Sequence, residues 1–140
     1  MAFTGNFSCN TLRAGLANGS INLTSDTFRL ALYTNDATLD QTTTAYTTTG
    51  EASGGNYAAG GQVVTTTVTS QTTASGSVTY VTFSAPAWTG AITARGALIY
   101  KAGANGAVCV LDFGNDKTST STFTVTMPAN TSTSALIRIV

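Results

Sequence analysis

The chain has 140 residues, six basic and six acidic side chains and no histidine, and only 9% of it is charged, against about a quarter in ordinary soluble domains. Zero net charge offers no electrostatic footprint for nucleic acid or an anionic membrane surface. No apolar run reaches the length of about eighteen residues that a membrane span needs, and without histidine neither a Ser–His–Asp nor a Cys–His arrangement can form within the chain.

This length implies one domain, residues 1–140, with enough chain to bury a self-sufficient core. Threonine is about one residue in five, and its β-branched side chain suits a half-buried pleated surface. The 42% hydrophobic fraction argues against a disordered chain. The start, "MAFTGNFSCNTLRAG", lacks a basic region followed by a long apolar run, so synthesis and folding in a cytoplasm without export is the expectation.

In chain order, the N-terminal segment, residues 1–20, comes first. Within it "SCNTLRAGLANGS" predicts one short helix near Leu12–Ala17. Asn10 or Ser8 would cap it, Leu12 and Leu16 would share a face, and Gly19 would end it. "DTFRLALYTN" alternates Phe28, Leu30 and Leu32 with Arg29, Ala31 and Tyr33, the period of a strand. An extended loop or arm over about residues 36–61 follows. Its core, "TAYTTTGEASGGNYAAGG" from Thr44 to Gly61, has five glycines, two tyrosines and one charge.

Beyond it, "QVVTTTVTS" and "SVTYVTFSA" read as two strands joined by a polar hairpin connection. "ITARGALIY" and "GAVCVLDFG" flank "KAGANG", whose glycines and asparagine fit a tight turn. Both strands are apolar on two faces, which places them in the middle of a sandwich. "STFTVTM" and "SALIRIV" complete seven strands, with an eighth expected in the opening stretch. The fold class is therefore all-β: an antiparallel β-sandwich, jelly-roll-like, with one short N-terminal helix. Phe28, Leu30, Leu98, Val108, Val110, Phe123 and Val125 are the expected core.

The inventory for chemistry is thin, and no enzymatic activity, catalytic residue or cofactor is expected. Six carboxylates form no obvious pair for glycoside hydrolysis. "DFGNDK" at Asp112–Lys117 has the kinase metal motif in form, but no glycine-rich nucleotide loop or catalytic loop accompanies it. "NDATLD" lacks the later glutamate of a calcium loop, and no metal site is expected. Cys9 and Cys109 stand far apart, and Cys109 lies within an apolar strand as a free buried thiol would. Asn6, Asn18, Asn22 and Asn130 begin sequons that carry no weight without export. Trp88 and Tyr80 are aromatics able to stack a sugar, although core packing is the commoner use.

Three stretches together, "DTFRLALYTNDATLD", "TAYTTTGEASGGNYAAGG" and "WTGAITARGALIYKAGANGAVCVLDFGNDKTSTSTFTVTMPANTSTSALIRI", resemble a family of small structural virion proteins of tailed bacteriophages and prophages. The order of segments matches over nearly the whole chain, and "ITARGALIY", "AVCVLDFG" and the terminal "ALIRI" are the most specific parts. Cys109 departs from the small aliphatic residue expected there. The resemblance implies a particle component. By size and inferred fold, the chain is more loosely similar to the capsid cement or decoration class.

Two functions follow. The first is a cement or decoration protein on the outer capsid surface, made in the host cytoplasm and bound to the major capsid protein. The alternative is a tail- or fibre-associated module that binds host-surface carbohydrate. The arm cannot bury enough apolar surface to order itself, so Tyr46 and Tyr57, with Phe3 and Phe7 of the N-terminal segment, are the expected partner-binding residues. Removing Ala45–Ala59 would then leave the sandwich folded. The charge-poor surface and open edges further point to self-association, as a homodimer rather than a trimer.

Overall fold

Residues 3–139 are described by a computed structural model, and the alternation of apolar and polar residues becomes ten strands and one helix among them. Met1, Ala2 and Val140, the ends of the expected N-terminal segment and closing strand, lie outside the described residues. Strand β1 is Phe7–Ser8, helix α1 Asn10–Asn18, β2 Phe28–Tyr33, β3 Gln62–Val64, β4 Thr66–Thr73 and β5 Gly76–Phe83. The remainder are β6 Ala87–Thr89, β7 Ile92–Lys101, β8 Ala107–Ser119, β9 Thr122–Thr124 and β10 Ile137–Ile139. All pairings are antiparallel. The chain is thus the all-β antiparallel sandwich with one short helix that its periodicity predicts.

The strands form a five-stranded sheet, β1-β8-β7-β2-β3, a three-stranded sheet, β10-β5-β4, and a two-stranded pair, β6-β9. Side chains alternate across the five-stranded sheet. Its inner face presents Phe28, Leu30, Leu32, Ile99 and Leu111 to Val81, Phe83 and Ile137 of the three-stranded sheet and to Trp88 and Phe123 of the pair. All seven expected core residues are buried.

Some details depart from the expectation. "QVVTTTVTS" is one run of sequence but two strands: β3 pairs with β2 and β4 with β5, so the chain crosses between sheets at Thr65. β6 was not expected, because three residues around Trp88 are too short to show a period. Cys9, rather than Asn10 or Ser8, precedes the helix, and its carbonyl accepts from Leu12 and Arg13. Gly19 ends the helix in the left-handed conformation as expected. Leu12 is buried, but Leu16 is 36% exposed.

The larger correction concerns the arm. The outer face of the five-stranded sheet is also apolar, with Ala31, Tyr33, Leu98, Tyr100 and Val110 all buried. What buries them is the 36–61 stretch, through Ala37, Leu39 and Tyr46, together with Phe3 and Cys9 of the N-terminal segment. The arm is therefore a third layer of the same domain and not an extension that waits for a neighbour. Its glycines permit the close approach. Gly61 has φ +76, and a Cβ there would overlap the Leu30 carbonyl on β2.

Deleting Ala45–Ala59 should consequently destroy cooperative folding. Each large side chain returned to water costs about 1.5–3 kcal/mol, and a domain has only about 5–15 kcal/mol in all. Denaturant unfolding followed by circular dichroism checks this. A truncated chain with an unchanged midpoint would mean that the layer is dispensable.

Candidate functional site

Of the four expected partner-binding residues, two meet at one carboxylate. The Tyr46 hydroxyl donates to Glu51 Oε1 and the Tyr57 hydroxyl to Oε2, both at 2.6 Å, and the Gly60 amide donates to Oε2 at 2.8 Å. Tyr57 Oη accepts from the Leu32 amide of β2 at 2.9 Å, which ties the arm to the sheet. Tyr100 of β7 stacks on Tyr46 with centroids 4.9 Å apart and donates to the Gly60 carbonyl at 2.7 Å. Tyr33 of β2 donates to the Thr47 carbonyl at 2.7 Å and forms a backbone bridge with Glu51. Four tyrosines and one glutamate thus staple the third layer down.

Burial, reinforced by the bond to Glu51, pushes the Tyr46 phenol up to about 12. The same causes push Tyr57 higher still. Phenols held neutral in this way are hydrogen-bond donors near neutral pH and poor acid–base groups. An open cleft of about 430 Å³ beside the network is lined by Arg29, Tyr46, Gly60 and Tyr100. Arg29 already donates to the Gly61 carbonyl at 3.2 Å.

The other two expected residues lie on the same face but apart from Glu51. Phe3 is completely buried, 5.6 Å beneath the Arg95 guanidinium. It fits because residue 96 is glycine; any Cβ there would overlap the Phe3 ring. Arg95 pairs with Asp112, whose amide donates to Asn6 Oδ1 at 2.6 Å. Burial acts to raise the Asp112 pKa, but Arg95 and the Gly114 amide outweigh it, leaving the carboxyl below the usual carboxylate range. Phe7 is half-buried on β1, opposite Val110. Phe3 is therefore corrected from a partner contact to an internal anchor of the apolar outer face. Tyr46, half-buried on that face, and Tyr57, half-buried against the inner cluster beside Trp88, are tied to Glu51.

The remaining chemistry-bearing residues are likewise absorbed. Trp88 is 2% exposed, packed 5.4 Å from Tyr57, and Tyr80 is buried against Val78 and Ala135. Asp40 accepts from the Thr42 amide at 2.8 Å, a local turn. Cys9 and Cys109 are free and buried. Among the described residues no group of three or more His, Cys, Asp or Glu is gathered to hold a metal. Sequence reasoning missed Glu51, Tyr33, Tyr100 and the Arg95–Asp112 pair. The available signal was Glu51's position as the one charge between Thr44 and Gly61.

One element stays outside this packing. Beyond Val78, the β4–β5 hairpin runs out past the core, with residues 70–77 exposed along both strands and the turn. Hydroxyl pairs line it, Ser70 with Thr79 at 2.8 Å and Thr72 with Ser77 at 3.1 Å. No protein-family model, curated protein or solved structure matches this chain.

Two outcomes are expected. Glu51→Ala strands two phenols and an amide and should cost about 2–3 kcal/mol, with Glu51→Gln costing less because it keeps one acceptor. Denaturant midpoints check the cost, and spectrophotometric titration should show Tyr46 ionising at lower pH in the alanine variant. Asp112 has its pKa lowered by folding, so its contribution is complete above the ordinary carboxylate range and is lost as pH falls through the folded value. Asp112→Asn should therefore have a shallower loss of stability in acid than the parent, measured by thermal unfolding across the acidic range.

Proposed function

We propose that the chain is a virion structural subunit that binds the outer surface of a tailed-phage capsid and stabilises it as a cement or decoration protein. The observation that carries this reading is the resemblance of "ITARGALIY", "AVCVLDFG" and "ALIRI", in order, to small phage structural proteins. The surface chemistry is in keeping with it. A neutral, hydroxyl-rich exterior makes contacts that depend little on ionic strength, since few charges are present to be screened. A subunit held at two or three points re-forms any broken contact at high effective concentration, so individually weak contacts suffice.

The major capsid protein is the partner, and the subunit carries out no reaction in this role. With Phe3 used internally, the contacts fall to the half-buried Phe7, Tyr46 and Tyr57 and to the projecting hairpin. The tail or fibre alternative uses Trp88 or the tyrosines as sugar-stacking platforms. Trp88, Tyr33, Tyr80 and Tyr100 are buried, and Tyr46 already stacks on Tyr100 and Tyr57 packs against Trp88, so the packing does not favour it.

Purified protein should bind phage shells that lack it, saturating in proportion to the coat protein and raising the temperature at which the shells fall apart. Sedimentation with shells and a thermal-release assay read the two effects. Association with tails alone, or binding without any rise in shell stability, would sink the proposal.

A further inference from the structure

We infer that β4 is a self-pairing edge, through which two copies of this chain join in one continuous antiparallel sheet about a two-fold axis at Thr69. The inference stands on the edge itself and holds whether or not the subunit decorates a shell.

The hydrogen-bonding parity of β4 determines which groups face outward. The Ser84 amide donates to the Thr65 carbonyl at 2.9 Å, and β4 pairs in unbroken register with β5 from Thr66–Phe83 to Thr73–Gly76. Alternation in an antiparallel ladder then directs the amides and carbonyls of Thr67, Thr69, Gln71 and Thr73 toward β5. Those of Thr66, Val68, Ser70 and Thr72 point away from it. None of these outward groups has a backbone partner among the described residues beyond the β5 ladder.

Nothing blunts this edge. "TTVTSQTT" contains no charge, proline or glycine and no bulge, whereas exposed edges in natural proteins normally carry such devices. Val68 is 39% exposed on it. The occupant of an open edge of this kind is another strand, and a second copy of β4 fits it by symmetry. Centred on Thr69, antiparallel pairing sets Val68 opposite Ser70 of the second copy and Thr66 opposite Thr72, so all four outward-facing residues exchange hydrogen bonds. Thr69 then lies opposite its own copy and Thr67 opposite Gln71, hydroxyl and amide side chains with no charge to repel. A self-complementary contact about a two-fold closes at the dimer, which prevents growth into fibres.

The register makes Thr69 the diagnostic position, because a non-hydrogen-bonded pair on the axis brings its Cα atoms to about 4.5 Å, within disulfide range. Thr69→Cys should form a covalent dimer on mild oxidation, while the parent, whose two cysteines are buried, should not. Thr69→Lys and Thr69→Glu should each weaken association by about tenfold or more, and mixing the two should restore a dimer by opposite charge. Sedimentation velocity on the parent and variants reads this, with circular dichroism checking that each remains folded. A parent that is monomeric throughout the micromolar range overturns the inference. So does a dimer indifferent to charge at Thr69, or a folded Thr69→Cys protein that fails to crosslink.

Discussion

A sheet that is apolar on both faces must be covered on both, and the rest of this structure follows from that requirement. Leu30, Leu32 and Ile99 face one way from the central strands, Ala31, Leu98 and Val110 the other. The inner face is covered in the ordinary manner of a β-sandwich, by strands of a second sheet. The outer face has no second sheet. It is covered by irregular chain: the N-terminal segment and the long stretch between β2 and β3.

Irregular chain is a demanding cover, because each ordered residue costs about 1–2 kcal/mol of backbone entropy and a loop brings its own polar groups into the interior. Here the two problems share one solution. Glu51 accepts from two tyrosines and a glycine amide, and the same tyrosines lay their rings on the sheet or against Trp88. Apolar area and polar satisfaction are delivered by the same side chains. Buried polar networks of this kind rigidify a structure when complete and weaken it when one member is missing. The described residues contain no buried side-chain nitrogen or oxygen without a partner. The N-terminal segment repeats the arrangement on a smaller scale, with Phe3 as the apolar plug and Arg95, Asp112 and Asn6 as its polar ties.

With its loops drawn inward, the domain offers partners mostly hydroxyls, backbone edges and a few isolated apolar side chains such as Val63 and Ile139. Such a surface is unsuited to electrostatic steering and suited to contacts set by strand geometry and repetition. That is the physical link between the composition and the proposed place in a large symmetric assembly.

The sequence by itself determined what local periodicity can carry. Six of the seven expected strand patterns, the helix ended by Gly19, the turn within "KAGANG" and the seven core residues all follow from alternation and turn chemistry acting over a few residues. The two-faced apolar character of "ITARGALIY" and "AVCVLDFG" marked them as the middle of a sandwich. What covered that layer was decided only in the tertiary structure. Tyr46 and Tyr57 stand five and six residues from Glu51, close in sequence, yet their meeting depends on Leu32 and Tyr100, brought there from β2 and β7. A threonine- and glycine-rich stretch is too poor in apolar side chains to order itself alone. The sheet beneath supplies the apolar partner surface and the hydrogen-bonding amide, and no pattern within the stretch encodes either.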